Sequence, residues 1–196
     1  MFDIIDGTGD LWWIHAISFI VVIVLSLSLH EFAHGFAAYK CGDNTAKMQG
    51  RLTLNPLNHI DPIGFVCCVF FKFGWAKPVP VNPANFRNIK KGTAWVSVAG
   101  VLMNLFLAFV GYGIFSILSF IPVYNLFMTF LLYFFLYMFS INVSLAVFNF
   151  LPIYPLDGFK FVETFTKYNN SYVNFMYRYG TIVLLGVVLL LGDLLL

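Results

Sequence analysis

LWWIHAISFIVVIVLSLSL, residues 11–29, contains no Asp, Glu, Lys or Arg and leads directly into His30-Glu31-Phe32-Ala33-His34. A run of that length approaches the roughly 20 apolar residues that one helical crossing of a bilayer needs, so the first element is predicted to be a transmembrane helix. Residues four apart share a helix face, which sets the His30 and His34 imidazoles side by side with Glu31 next to them. This is the spacing with which a helix holds zinc and activates its water. Ionisable groups are costly in lipid, and a cluster of them inside a span marks a functional site. The stretch therefore predicts a membrane fold with metal-assisted hydrolysis inside it.

Composition agrees with that reading. The chain of 196 residues is 60% hydrophobic, 19% aromatic and only 10% charged, against about one quarter charged in soluble domains. An ordinary soluble enzyme is excluded, and a net charge of +2 with scattered basic residues provides no nucleic-acid surface. Four apolar segments, about 11–39, 93–120, 124–151 and 172–196, are each long enough to cross. The predicted fold class is all-α integral membrane. About four transmembrane helices and a 40–92 loop with a re-entrant or extended piece would form one membrane-embedded domain over residues 1–196.

All eleven basic residues lie between Lys40 and Lys91, at Lys160 and Lys167, or at Arg178. Cytoplasmic loops carry the excess of Lys and Arg, so the 40–92 loop and the turn after the third span are expected inside, with both termini outside. With Lys40 at the inner interface, a rise of 1.5 Å per residue sets His34 about 9 Å and His30 about 15 Å into the membrane. Residues 63–74 are apolar but too short to span, and are bounded by Pro62 and by Gly74, Pro78, Pro80 and Pro83. They are expected to re-enter or lie at the interface and to pack over the site, since irregular backbone survives at depth only against protein or a water-filled cavity. Residues 77–81, with Val79 and Val81 alternating with proline, read as an extended edge. The acidic N-terminus, with Asp3, Asp6 and Asp10, lacks the basic flank of a signal peptide. Cys41, Cys67 and Cys68 read as free thiols.

A catalytic zinc takes three protein ligands and keeps one position for water, so His30 and His34 need a partner from elsewhere. Asp157 offers it, within Asn149-Phe150-Leu151-Pro152-Ile153-Tyr154-Pro155-Leu156-Asp157-Gly158. Pro152 and Pro155 break the third helix, because each lacks a backbone donor and crowds the preceding turn. Asp157 is then expected at a non-helical end, on the same side of the membrane as His34.

These motifs, in this order, resemble those of the site-2 protease family, the intramembrane zinc metalloproteases of peptidase family M50. His30-Glu31-Phe32-Ala33-His34-Gly35 is similar to the family's first motif, and Asn149 with Pro152, Pro155 and Asp157-Gly158 to its second. Asn55-Pro56, Asp61-Pro62-Ile63-Gly64 and Gly74-Trp75-Ala76-Lys77-Pro78-Val79-Pro80-Val81-Asn82 resemble the intervening segment of compact bacterial and archaeal members. In the second span, Ala99-Gly100-Val101-Leu102-Met103-Asn104 resembles a family pattern that often has proline where Val101 stands. The resemblance implies a compact form without a PDZ or CBS domain. It implies one zinc ion held by His30, His34 and Asp157, Glu31 as general base, and Asn149 as a polar partner of the substrate or of the tetrahedral oxyanion. The activity it implies is regulated intramembrane proteolysis by a multi-pass cell-membrane enzyme, a zinc metalloendopeptidase cutting in or near transmembrane segments. Its partners would be a transmembrane protein or peptide substrate and the lipid bilayer; oligomeric state and physiological substrate are not written in the sequence.

Other polar residues have plainer roles. Asn104 and Asn142 are expected to bond neighbouring helices, and His15, beside Trp12 and Trp13, belongs at the outer interface. His59, near Asp61, is expected to be structural or at the surface. The 77–81 edge would pair with an unwound substrate strand, although its prolines remove two donors. The rival function is a membrane metal transporter or metal-binding scaffold that uses the same ligands without hydrolysis, and Glu31 separates the two.

Overall fold

A computed structural model of the chain describes residues 11–71, 74–122, 125–167 and 169–195, and side chains within these except for 68–71 and 191–195. The acidic N-terminal stretch, the Cys68 side chain and the predicted span ends at 124 and 196 lie outside the described residues. The helices are α1 (Trp12–Cys41), α2 (Thr45–Met48), α3 (Pro62–Phe71), α4 (Ile89–Ser119), α5 (Leu126–Phe150), α6 (Asp157–Phe165) and α7 (Ser171–Leu195), with 3₁₀ turns at Pro56–Asn58 and Pro83–Asn85. Of these, α1, α4, α5 and α7 are long and apolar enough to cross a membrane. The architecture is the all-α, four-span one expected.

Capping chemistry moves the boundaries. Helix α4 begins at Ile89, ahead of the apolar run, because Asn88 caps it with Oδ1 accepting the Lys91 N–H at 2.9 Å. Lys90 and Lys91 thus sit in its first turn. Asn125 caps α5 in the same way, accepting the Met128 N–H at 2.8 Å. Helix α1 runs past Lys40 and stops at Gly42, whose φ of 112° is left-handed and whose N–H reaches the Ala38 and Tyr39 carbonyls.

Helices α1, α4 and α5 pack on one another, around Val22, Tyr137, Met138 and Ile141. Polar links cross the same interface: Asn142 donates to Ser26 Oγ at 2.8 Å, and His15 Nδ1 lies 3.2 Å from the Tyr137 hydroxyl. His15 therefore joins α1 to α5. Outward, α4 presents Phe106, Phe109 and Ile117, and α7 presents Ile182, Leu185, Leu189 and Leu190. Acyl chains suit such faces better than water does.

Helix α3 is too short to span and meets α1 early in its course. Gly64 and Phe65 line a cavity of about 20 Å³ together with Ile23, Val24, Leu27 and Ser28. Ser28 precedes Lys40 by about 18 Å of helix rise, so the first turn of α3 lies beside the middle of α1. That turn flanks α1 before His30. Residues 77–81 belong to no helix or strand; an antiparallel bridge, Ile60 to Ala76, and the Lys77 N–H to His59 carbonyl bond at 2.8 Å fix their start.

Candidate metal centre

His30 and His34 project from one face of α1 and are buried, at 5% and 8% exposure. Their rear nitrogens are both held by α4: His34 Nδ1 lies 2.7 Å from the Val96 carbonyl oxygen, and His30 Nδ1 lies 3.1 Å from Asn104 Oδ1. A carbonyl oxygen only accepts, so each imidazole donates from Nδ1 and keeps a lone pair on Nε2. The two Nε2 atoms face each other at 3.0 Å. Asp157 Oδ2 closes the group, 3.2 Å from His30 Nε2 and 2.9 Å from His34 Nε2.

Three buried acceptors thus converge, and among the described residues Asp157 Oδ2 has no hydrogen-bond donor. Such a cluster is unfavourable unless protons or a cation lie within it. One tetrahedral ion satisfies all three at once. With ligand distances of about 2.0 Å, tetrahedral zinc sets its ligand atoms about 3.3 Å apart, close to the separations here. Two imidazoles and a carboxylate also suit zinc by ligand type. The residues fit the metal.

The path of α4 makes the close packing possible. A Cβ added to Gly100 would lie 2.4 Å from His30 Cε1 and 2.5 Å from His34 Nε2. No side chain fits there. After α5 ends at Phe150, residues 151–156 carry the chain to α6 through a cis Tyr154–Pro155 bond. Asp157 then opens α6, and the expectation of a non-helical end is corrected: the carboxylate sits in a first turn, where the helix dipole favours it. Gly158 lets α6 start directly against α5, since an added Cβ would lie 2.2 Å from the Phe150 carbonyl oxygen. Lys160 Nζ lies 3.3 Å from Asp157 Oδ1, so the two carboxylate oxygens are divided between lysine and histidines.

Glu31 is half-buried beside the histidines, but its Oε2 accepts the Val79 backbone N–H at 2.8 Å. Asn149, in the last turn of α5, donates to the Leu145 carbonyl of its own helix at 3.0 Å. Among the described residues it makes no hydrogen bond to the three converging side chains. His59 is 1% exposed and meets the Thr53 carbonyl at 2.8 Å through Nε2, a buried structural residue outside the centre. Sequence reasoning gave Val96, Gly100 and Lys160 no role at the site, and it expected Asn104 to bond a neighbouring helix without foreseeing that its partner is His30.

The sequence profile of Peptidase family M50 matches residues 113–190, which include Asn149 and Asp157. “Putative zinc metalloprotease YwhC” of Bacillus subtilis (strain 168) is 42% identical over 149 residues, 74% of this chain and 67% of that protein. The chain belongs to peptidase family M50. Other relatives are “Putative zinc metalloprotease Rip2” of Mycolicibacterium smegmatis (strain ATCC 700084 / mc(2)155), 32% identical over 152 residues, and its namesake in Mycobacterium tuberculosis (strain ATCC 25618 / H37Rv), 30% identical over 159. Each of those matches takes in 74% of this chain and 57% of the relative, so the M50 chain spans little more than half of Rip2 and about two thirds of YwhC. No solved structure matches it significantly. The site-2 protease resemblance of its motifs and these comparisons name the same family.

Proposed function

We propose that this M50 chain is an intramembrane zinc metalloendopeptidase that hydrolyses a peptide bond in or next to a transmembrane segment of another membrane protein. One observation carries the reading: His30 Nε2, His34 Nε2 and Asp157 Oδ2 meet within 3.2 Å of one another, with both histidines inside an apolar helix. Membership of a peptidase family, and relatives named for zinc proteolysis, favour hydrolysis over a transporter or scaffold with the same ligands.

His30, His34 and Asp157 hold the ion in this reading, and their rear contacts to Asn104, Val96 and Lys160 keep them turned toward it. Zinc supplies Lewis acidity there and makes a water acidic near neutral pH. The Glu31 carboxylate would take a proton from the attacking water and pass it to the departing amine nitrogen, a general acid–base role worth about 10²–10⁴ in rate. Asn149 exchanges its Leu145 contact for the substrate carbonyl and donates from Nδ2 as negative charge develops. The basic 40–92 loop and the turn after α5 lie in the cytoplasm, both termini lie outside, and the centre opens nearer the cytoplasmic face.

The test uses purified protein in detergent, assayed for zinc by mass spectrometry and for cleavage of a membrane-spanning peptide. Wild type binds one zinc per chain and cleaves; Glu31→Gln keeps zinc and loses at least about 100-fold in rate; Asp157→Ala loses both. Cleavage that survives Glu31→Gln refutes the base. Zinc flux into liposomes without cleavage would favour transport.

A further inference from the structure

The extended 77–79 segment is tied at both ends of its short course. Arg51 Nη2 donates to the Lys77 carbonyl at 2.8 Å and to the Pro78 carbonyl at 3.2 Å. The next residue, Val79, gives its N–H to Glu31 Oε2 at 2.8 Å and is itself buried, at 8% exposure. Its Cγ1 would lie 3.0 Å from a Cβ on Gly35, so it rests directly on α1 one turn beyond Glu31. Arg51 is anchored in turn, because its N–H bonds the Ala46 carbonyl at 2.8 Å and closes the turn after α2. Helix α2 is fastened to the end of α1 through Asp43, which accepts from the Thr45 N–H at 3.0 Å. The contacts form a circuit that starts just past the end of α1, at Asp43, and returns to α1 at Glu31.

We propose that Arg51 is a positioning residue for the Glu31 carboxylate, acting through the Lys77 and Pro78 carbonyls to fix the Val79 N–H that holds Oε2. The inference rests on the proteolytic reading, in which Glu31 moves the proton. A carboxylate on a flexible side chain samples several rotamers; one backbone donor set rigidly against it selects a single one, and a misplaced base lowers turnover more than substrate binding. Pro78 on one side and Pro80 on the other limit the backbone freedom of Val79. The arrangement also bears on substrate pairing at this edge, because the Val79 N–H and the two carbonyls before it are already engaged within the chain.

The proposal predicts two separable signatures for Arg51→Ala in the zinc-loaded full chain. The first is kinetic: kcat for a membrane-spanning peptide falls by about tenfold or more while KM stays within about twofold, zinc content is unchanged, and Arg51→Lys recovers most of the loss. The second is direct. Pro78 and Pro80 have no amide hydrogen, so deuterium uptake over residues 77–81 comes from Lys77, Val79 and Val81 alone, and fragment-resolved exchange isolates Val79. Its amide should exchange faster in Arg51→Ala and in Glu31→Ala than in wild type. Unchanged Val79 exchange overturns the proposal, as does an unchanged or raised kcat. Should Arg51→Ala lose its zinc or aggregate, Arg51→Met, which keeps the aliphatic stem and has no donor, decides by the same measurements, with Val79 exchange between wild type and Glu31→Ala expected and wild-type exchange overturning the idea. If wild type does not cleave, the proteolytic reading fails, whereas the exchange arm still reports on the clamp.

Discussion

Gly100 has no side chain, and the candidate metal centre depends on that. With an added Cβ only 2.4 Å from His30 Cε1, Gly100→Ala must push α4 away or turn an imidazole. Either movement disturbs the Asn104 and Val96 contacts that orient both rings. Disturbed supporting contacts typically cost 10- to 100-fold in metal affinity, so zinc competition against a chelator should show Gly100→Ala weaker by about tenfold or more. Wild-type affinity would mean that α4 yields at no cost. The three converging residues were legible because histidines four apart and an aspartate after two helix-breaking prolines have a fixed chemical meaning. Their supports were not. A backbone carbonyl such as that of Val96 has no sequence signature, and an asparagine inside a span bonds some neighbour in any helical bundle, so Asn104 pointed to no particular partner. Glu31 was legible as an acid beside the ligands, but its Val79 contact arises from a distant extended segment whose course only the fold reveals.

At the scale of elements, Asp43 joins three pieces of chain. Its carboxylate is buried and accepts from the Thr45 N–H and hydroxyl, the Asn82 N–H at 2.7 Å and the Asn85 amide at 2.8 Å. Burial pushes its carboxyl up, but the bonds from Asn82, Asn85 and Thr45 outweigh that and hold it below its usual value. The folded value then lies below the roughly 3.9 of an unfolded aspartate. The stabilisation is complete above about pH 5 and is lost as pH falls through the folded value. Asp43→Asn should therefore cost about 2 kcal/mol near neutral pH and flatten the acid side of the stability profile, measured by thermal unfolding in detergent. An acid limb identical to wild type would remove Asp43 as its source. The long helices were readable from uninterrupted apolar runs, whereas their ends were set by caps. Asn88 draws two lysines into α4 that hydropathy alone assigns to the loop. Within the 40–92 loop, helix α2 and the 3₁₀ turns are too short for periodicity to register, and their stability comes from side-chain bonds such as those of Asp43.

For the whole molecule, the proposed orientation places successive connections on opposite sides of the bilayer. With Cys41, Cys67 and Cys68 replaced by serine, Leu54→Cys in the first loop and Ile121→Cys between α4 and α5 should react with a membrane-impermeant thiol reagent from opposite faces. Labelling of both from one face would overturn the four-span arrangement. The centre itself draws on separate spans: its histidines come from α1, their rear contacts from α4, and its carboxylate from the helix that follows α5. That division has a consequence for biosynthesis. While the polypeptide is still leaving the ribosome, the two imidazoles enter the bilayer long before the aspartate has been made. In the proposed proteolytic reading a half-built copy has no hydrolytic power, so neighbouring proteins at the insertion site are safe from it until the aspartate folds back into place.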